Sequence, residues 1–402
     1  MDRALKKGAL DGIKVVEIGS MIAGPLCAQV LGDHGAQVIK VESPLGDPSR
    51  LHGPWVAGQG AYYAALNRNK SVIALDLTKP SAREVLLKLL ETADVLVENL
   101  LPDAMVRWGL DYATVLAPRF PRLVYCGISG FGKDGPLGGR PGYDAVVQGY
   151  CGLMSINGTP ESGPVRLGIA AVDIATGMNA ATGVLLALFE RSLSGQGQAV
   201  DITLFDTAIG LQVPFASRYF GSGKTEGAFG NAHPTLVPYD KFQARDGEIF
   251  VGVATSAQFR RLVTVLGRPQ LAEDERFQSD GLRVAHRDAL LVELGPLIAQ
   301  HAASELSETL MQNGVPAAPV HTVPQAMEAP HTRHRAMRVR RDDGYEGLGI
   351  PIKLQRTPGT VRQSPRSYGS DADAVLQAHG FSAEAIAALD AEGALLRRST
   401  GR

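Results

Sequence analysis

Over the first 130 residues, short β-rich runs alternate with helical stretches, and this alternation restricts the fold more than any other feature of the chain. Residues 13–18, 38–42, 71–76, 94–98 and 123–128 are apolar runs of strand length. A helical stretch begins near Pro25. Another follows Pro80, a residue suited to a first helical position, and carries apolar residues at helical spacing over 82–90. Strands that alternate with helices, without tight hairpins between them, favour a parallel sheet with helices on both faces. The expected fold class is therefore α/β.

Beyond this region, residues 130–142 carry six glycines and two prolines and read as loop. A long Ala-rich helix is expected over 172–191, then a strand and a helix over 198–213. Residues 221–230 are Gly-rich and read as a linker. A second αβ unit is expected over 238–319, with helices at 257–266 and 286–301. A basic, proline-punctuated return segment follows, and a last helix at 383–396.

A chain of 402 residues has ample material for a core. Its 40 Lys plus Arg against 41 Asp plus Glu argue against a nucleic-acid binder, which needs a cationic excess to meet phosphates. No apolar run approaches the ~18 residues of a membrane span, and nothing behind Met1 reads as a signal peptide. Cys27, Cys126 and Cys151 stand at no metal-ligand spacing, so no metal site is expected, and they suit reduced thiols in the cytoplasm.

Three tempting motifs fail. Gly223-Lys224-Thr225 resembles the end of a phosphate loop, but Arg218-Tyr219-Phe220 stands where the first glycine is required, and no strand precedes it. The glycines of Gly127-Ile128-Ser129-Gly130-Phe131-Gly132 are wrongly spaced for a dinucleotide fingerprint or a nucleophile elbow. His331 and His334 lack an acidic or cysteine neighbour at ligand spacing and sit among arginines. Asp173 lies at the start of the long helix, where an aspartate by itself reads as an N-cap.

A set of motifs then carries a resemblance. Leu10-Asp11-Gly12-Ile13-Lys14-Val15-Val16-Glu17 with Ala23-Gly24-Pro25 resembles the opening of the class III CoA-transferases. Gly35-Ala36-Gln37-Val38-Ile39-Lys40-Val41-Glu42, Asn67-Arg68-Asn69-Lys70, Asp94-Val95-Leu96-Val97-Glu98-Asn99, Gly139-Arg140-Pro141-Gly142-Tyr143-Asp144 and Gly195-Gln196-Gly197-Gln198-Ala199-Val200-Asp201 follow in the family's order. A weaker echo lies at Pro238-Tyr239-Asp240-Lys241-Phe242.

The resemblance implies that Asp173 is a nucleophile toward an acyl-CoA thioester and caps its helix as well. It implies CoA contacts at Met21, Ile22, Ser43, Leu75, Thr78, Asn99, Leu100, Arg107, Arg140 and Tyr143. CoA and acyl-CoA enter as substrates with a carboxylic acid as second partner, and no permanently bound cofactor is implied. A helix N-terminus would hold Asp173 ionised, and backbone amides near it would stabilise oxyanions.

The resemblance also implies a Rossmann-like large domain from 1–215 and 330–402, a small α/β domain at 225–325, linkers at 216–224 and 326–329, and an interlocked homodimer. In such a dimer the basic segment 333–341 would be buried or paired.

Ile22, Ser43 and the region 251–255 depart from the formyl-CoA enzymes, which place a glutamine, an arginine and a glycine run there; this argues against formate and oxalate as the natural pair. Small dicarboxylates such as succinate are the expected acids. Two alternatives stand beside transfer. A 2-methylacyl-CoA racemase would need a histidine where Tyr143 stands, and tyrosine is a poor base for an α-proton. A non-catalytic CoA-binding protein would have no use for the intact surroundings of Asp173.

Overall fold

The computed structural model describes residues 8–397 apart from 57, 102 and 226. The chain divides into two compact units, one made of Met1–Leu153, Leu167–Gly223 and His331–Arg402, the other of Met154–Arg166 and Lys224–Pro330.

The first unit holds six strands rich in β-branched residues: β1 (Lys14–Ile18), β2 (Gln37–Glu42), β3 (Lys70–Ala74), β4 (Val95–Glu98), β5 (Val124–Ser129) and β6 (Ala199–Thr203). All pair in parallel, in the order β6-β5-β4-β1-β2-β3. Doubly wound sheets adopt this order, and their ligands gather at the carboxyl ends of the strands where the order reverses, here between β1 and β4.

The helices of this unit are α1 (Ala23–Asp33), α2 (Ala61–Leu66), α3 (Pro80–Leu90), α4 (Ala104–Arg107), α5 (Asp144–Tyr150), α6 (Ala171–Ser194), α7 (Leu204–Gly210) and α8 (Val213–Ser222). Successive strand residues point to opposite faces of the sheet. Val16, Ile18, Leu96 and Tyr125 build one core with the buried leucines of α3. Glu17 and Cys126 face the other way, toward α1, whose Cys27 meets Cys126.

The two longest helices of that second face, α1 and α6, pack on each other. Gly177 permits the approach, because a Cβ there would stand 2.9 Å from the carbonyl oxygen of Ala23 and 3.0 Å from Leu26 Cβ. Helix α6 as a whole is long and apolar enough to cross a membrane, although no uninterrupted apolar run in the sequence suggests it. One of its faces, with Val172, Ala180, Val184 and Ala187, is buried inside the unit.

The C-terminal segment completes the same unit. Helices Ala372–Ala378 and Ala383–Ala391 join the α3 core. The free edge of β3 is closed by Asp371, whose carboxylate accepts from the Val72 amide, and by Leu396, whose amide donates to the Ala74 carbonyl. The last helix therefore ends at Ala391, short of the expected 396, because Ala394 to Leu396 pair with the chain around Leu75 instead.

The second unit has an antiparallel sheet of β7 (Tyr239–Gln243), β8 (Glu248–Gly252) and β9 (Ala317–Pro319), with α9 (Ser256–Val265), α10 (Arg287–Ile298) and α11 (Ala303–Gln312). Ile249, Val251, Phe259, Leu262, Leu290, Leu294 and Leu310 form its core.

The linker expected at 216–224 is largely helix. Pro214 lies in the first turn of α8, and Gly223 ends it in the left-handed conformation at φ 65°, so proline and glycine bracket a helix here and do not mark a loop. Helix Val323–Glu328 likewise occupies most of the expected 326–329 linker, begun by a Thr322–Gln325 capping box.

Candidate active site

The carboxyl ends of four strands open into a cleft of about 480 Å³. Gly19 and Ser20 follow β1, Ser43 follows β2, Leu75 and Thr78 follow β3, and Leu100 follows β4; Trp108, after α4, adds an aromatic wall. Four of the residues implied as CoA contacts, Ser43, Leu75, Thr78 and Leu100, thus share one cavity. Arg107 and Arg140 are exposed and do not line it, and Tyr143 is 76% exposed at the N-cap of α5. Among the described residues that line the cleft none is a lysine or arginine.

Asn99 explains how the cleft floor is held. Its carboxamide accepts from the Ser20 amide and donates to the Ser20 carbonyl, both at 2.9 Å, and so ties the end of β4 to the end of β1. The next residue, Met21, has a left-handed backbone (φ 63°), uncommon for a side chain of this kind, and its amide donates to Asp47 Oδ1. Ile22 is buried and opens α1.

Beneath this turn, Lys40 donates to the Gly19 carbonyl at 2.7 Å and pairs with Glu17 at 2.8 Å and Asp47 at 3.0 Å. Lys70 pairs with the other oxygen of Glu17 and donates to the Pro25 carbonyl of α1. Burial by itself would lower the Lys40 ammonium, but the surrounding Glu17, Asp47 and Glu42 carboxylates hold it well above the ordinary lysine range.

Asp173 is the third residue of α6, half-buried. It stands one turn before Gly177 on the same helix face, and is thereby turned toward the start of α1. It does not cap its helix: Ala170 occupies the N-cap position, and the capping carboxylate comes from α5. Asp144 Oδ2 accepts from the amides of Val172 at 2.8 Å and Asp173 at 3.1 Å. Ala171 donates to Ile169 and Ile174 to Ala170, so the first four amides of α6 all have partners inside the chain.

The expectation that this helix end holds Asp173 ionised is corrected accordingly. Burial, and next the Asp144 charge, push the Asp173 carboxyl up to about 6. The same two carboxylates act after burial to raise Tyr62, an α2 residue whose ring meets His52 edge-on.

Sequence reading missed Asp144 as a structural partner, and with it Tyr62 and Trp108. Asp144 and Gln148 are spaced i, i+4 and so share a helix face, which was a readable signal; Tyr62 carried none.

A family model of CoA-transferase family III matches residues 10–372. The chain belongs to that family. A succinate–glutarate CoA-transferase of Agrobacterium fabrum is 36% identical over 89% of this chain and 92% of its own length. An acetyl-CoA:oxalate CoA-transferase of Acetobacter aceti is 35% identical over 87% of this chain and 90% of its own. Among solved structures, a CAIB/BAIF family protein from Brucella suis superposes with a TM-score of 0.85 at 37% identity, covering 93% of this chain and all of that one. The chain is thus a class III CoA-transferase, and the cleft and Asp173 lie within the matched region.

Proposed function

We propose that the enzyme moves CoA from the thioester of one dicarboxylic acid to a second dicarboxylic acid, with Asp173 as the nucleophile. The observation that carries this reading is the half-buried carboxylate at the start of α6, turned toward the start of α1, whose N-cap Ile22 follows the cleft residue Ser20 by two positions in sequence. The similar succinate–glutarate enzyme supports the choice of both acids, and the acetyl-CoA:oxalate enzyme that of a dicarboxylate as acceptor.

In the proposed sequence an Asp173 oxygen attacks the thioester carbonyl, the C–S bond breaks, and CoA leaves as thiolate with the acyl group held as a mixed anhydride. The thiolate attacks the aspartyl carbonyl of the anhydride and releases the first acid as carboxylate. The second acid then attacks the aspartyl-CoA thioester, forms a new anhydride and frees the thiolate. Attack of that thiolate on the new acyl carbonyl yields the product thioester and restores Asp173. Each step exchanges one activated acyl bond for another, so the thioester's energy is conserved throughout. A carboxylate pushed up to about 6 is a more basic nucleophile than an ordinary aspartate, yet ionised at neutral pH. The apolar cleft would take the adenine end of CoA, with exposed Arg107 and Arg140 meeting its phosphates.

Incubation with succinyl-CoA followed by borohydride should mark Asp173 by mass, and Asp173→Ala should lose CoA exchange by at least about 1,000-fold while staying folded. Turnover by pure Asp173→Ala enzyme sinks the reading.

The working form is proposed to be a homodimer in the cytoplasm, where Cys27, Cys126 and Cys151 stay reduced. Helix α6 exposes Leu186, Phe189 and Leu193 at 65–76%, and α8 exposes Phe220 at 80%, an apolar surface that a second copy would cover. The basic segment supports no further claim on a partner, because Arg338 and Arg340 meet Glu346, and Arg341 meets Asp343, within the same chain. Light scattering at nanomolar concentration should give twice the chain mass; an active monomer contradicts the dimer.

A further inference from the structure

We infer that Asp144 is the positioning residue of this active site: its carboxylate, clamped by Gln148, fixes the first turn of α6 and thereby sets where the Asp173 carboxylate stands. The inference rests on the reading of Asp173 as nucleophile.

Two observations support it. The first is the geometry of the clamp. Asp144 and Gln148 are both buried, at 8% and 0% exposure. One oxygen of Asp144 takes the two α6 amides, and the other accepts from Gln148 Nε2 at 2.5 Å. Gln148 in turn accepts from the Leu167 amide at 2.9 Å. Both ends of the stretch 167–173 are thereby fastened to α5, with every oxygen of the clamp engaged. A buried carboxylate with both oxygens occupied has little freedom to turn, so the turn it holds is fixed to within a hydrogen bond's tolerance.

The second is the electrostatic result. The start of an α-helix ordinarily favours a neighbouring carboxylate, through its unpaired amides and its dipole. Asp144 occupies the amides and sets its own negative charge against the dipole. Asp173 then gains little from the helix end and feels a like charge beside it, in keeping with its shift to about 6.

Of the other titratable groups around this turn, Tyr62 comes from α2 and is neutral near pH 7 with its hydroxyl raised. Helix α1 carries Cys27, which meets Cys126 of β5 and has its thiol raised, and Asp33, at its far end and paired with Arg68. On β5, Tyr125 points to the opposite sheet face, where it bonds Glu98. Asp201 of β6 and Asp206 of α7 are exposed, and Arg191 of α6 lies at that helix's other end against Asp94.

The test is the pH–rate profile of CoA transfer from succinyl-CoA to glutarate by the full-length enzyme and two variants. Asp144→Asn keeps the shape and removes the charge. It is expected to move the acid limb of the profile down by about one pH unit and to lower kcat about tenfold or more, with KM for succinyl-CoA within about twofold. Gln148→Met keeps the charge and frees the clamp; kcat should fall with the acid limb unmoved. A folded Asp144→Asn enzyme with unchanged kcat and acid limb overturns the inference. Should that variant not fold, a Gln148→Met enzyme with unchanged kcat overturns it equally. Borohydride labelling of the unmodified enzyme separates the two ideas. Failure to label Asp173 removes the nucleophile reading itself, whereas labelled Asp173 together with an indifferent Asp144→Asn removes only the role of Asp144.

Discussion

Two groups of charges in the first unit are built on opposite rules. Under the Gly19–Met21 turn, Glu17, Lys40, Lys70 and Asp47 alternate in sign, and each finds a counter-ion within 3.0 Å. At the start of α6, two carboxylates, Asp144 and Asp173, stand side by side. The alternating group holds a backbone turn still by pairing its charges, although burial lowers the Lys70 ammonium to about 8. The like pair keeps one carboxylate short of stabilisation, as a group that must react requires.

The contrast can be broken at either end. The largest expected effect on stability comes from Lys40→Met, which leaves Asp47 without its cation and Glu17 with Lys70 alone. Removing one member of a buried ion pair typically costs about 3–5 kcal/mol, and urea unfolding should show a loss of that size. A loss below ~1 kcal/mol would mean that the turn does not depend on the alternating group.

The second effect has the opposite sign. Asp173 takes its proton near pH 6 in the folded chain, against an ordinary 3.8 when unfolded. The folded state is therefore penalised above pH 6, and the penalty fades as the pH falls toward 4. Asp173→Asn should raise stability at pH 8 by up to about 3 kcal/mol and leave it unchanged near pH 4. A destabilised Asp173→Asn at pH 8 would place Asp173 in the same class as Lys40.

How far the sequence discloses these features depends on how local they are. The strands were legible because runs such as Val15-Val16 and Val95-Leu96-Val97 are apolar, β-branched and bounded by polar residues. Asp173 stood out by its place at a helix start, and only the family resemblance gave it chemistry. Lys40 gave no sign of being buried, because Glu17 and Asp47 reach it from other segments and a lysine in a strand ordinarily reads as solvent-facing. Asp144 was concealed in the same way. Its bonds to α6 span 28 residues of sequence, and local spacing shows only its link to Gln148. The stretch 216–224 was expected as a linker for a different reason, since the glycines from 221 onward were read as loop where Gly223 marks the end of a helix.

The closure of β3 has a consequence for how the enzyme is made. The strand that Asp371 and Leu396 cover is synthesised well before its cover, Val72 standing 299 residues ahead of Asp371. During synthesis β3 therefore remains an open edge with unpaired amides and carbonyls, the kind of surface on which another nascent chain can add a strand. The second unit lies between these two segments in sequence and has a core of its own, so it can fold while the first waits for its covering segment. Emergence of the covering segment, and not of the second unit, is then the moment at which this edge becomes safe from neighbouring chains.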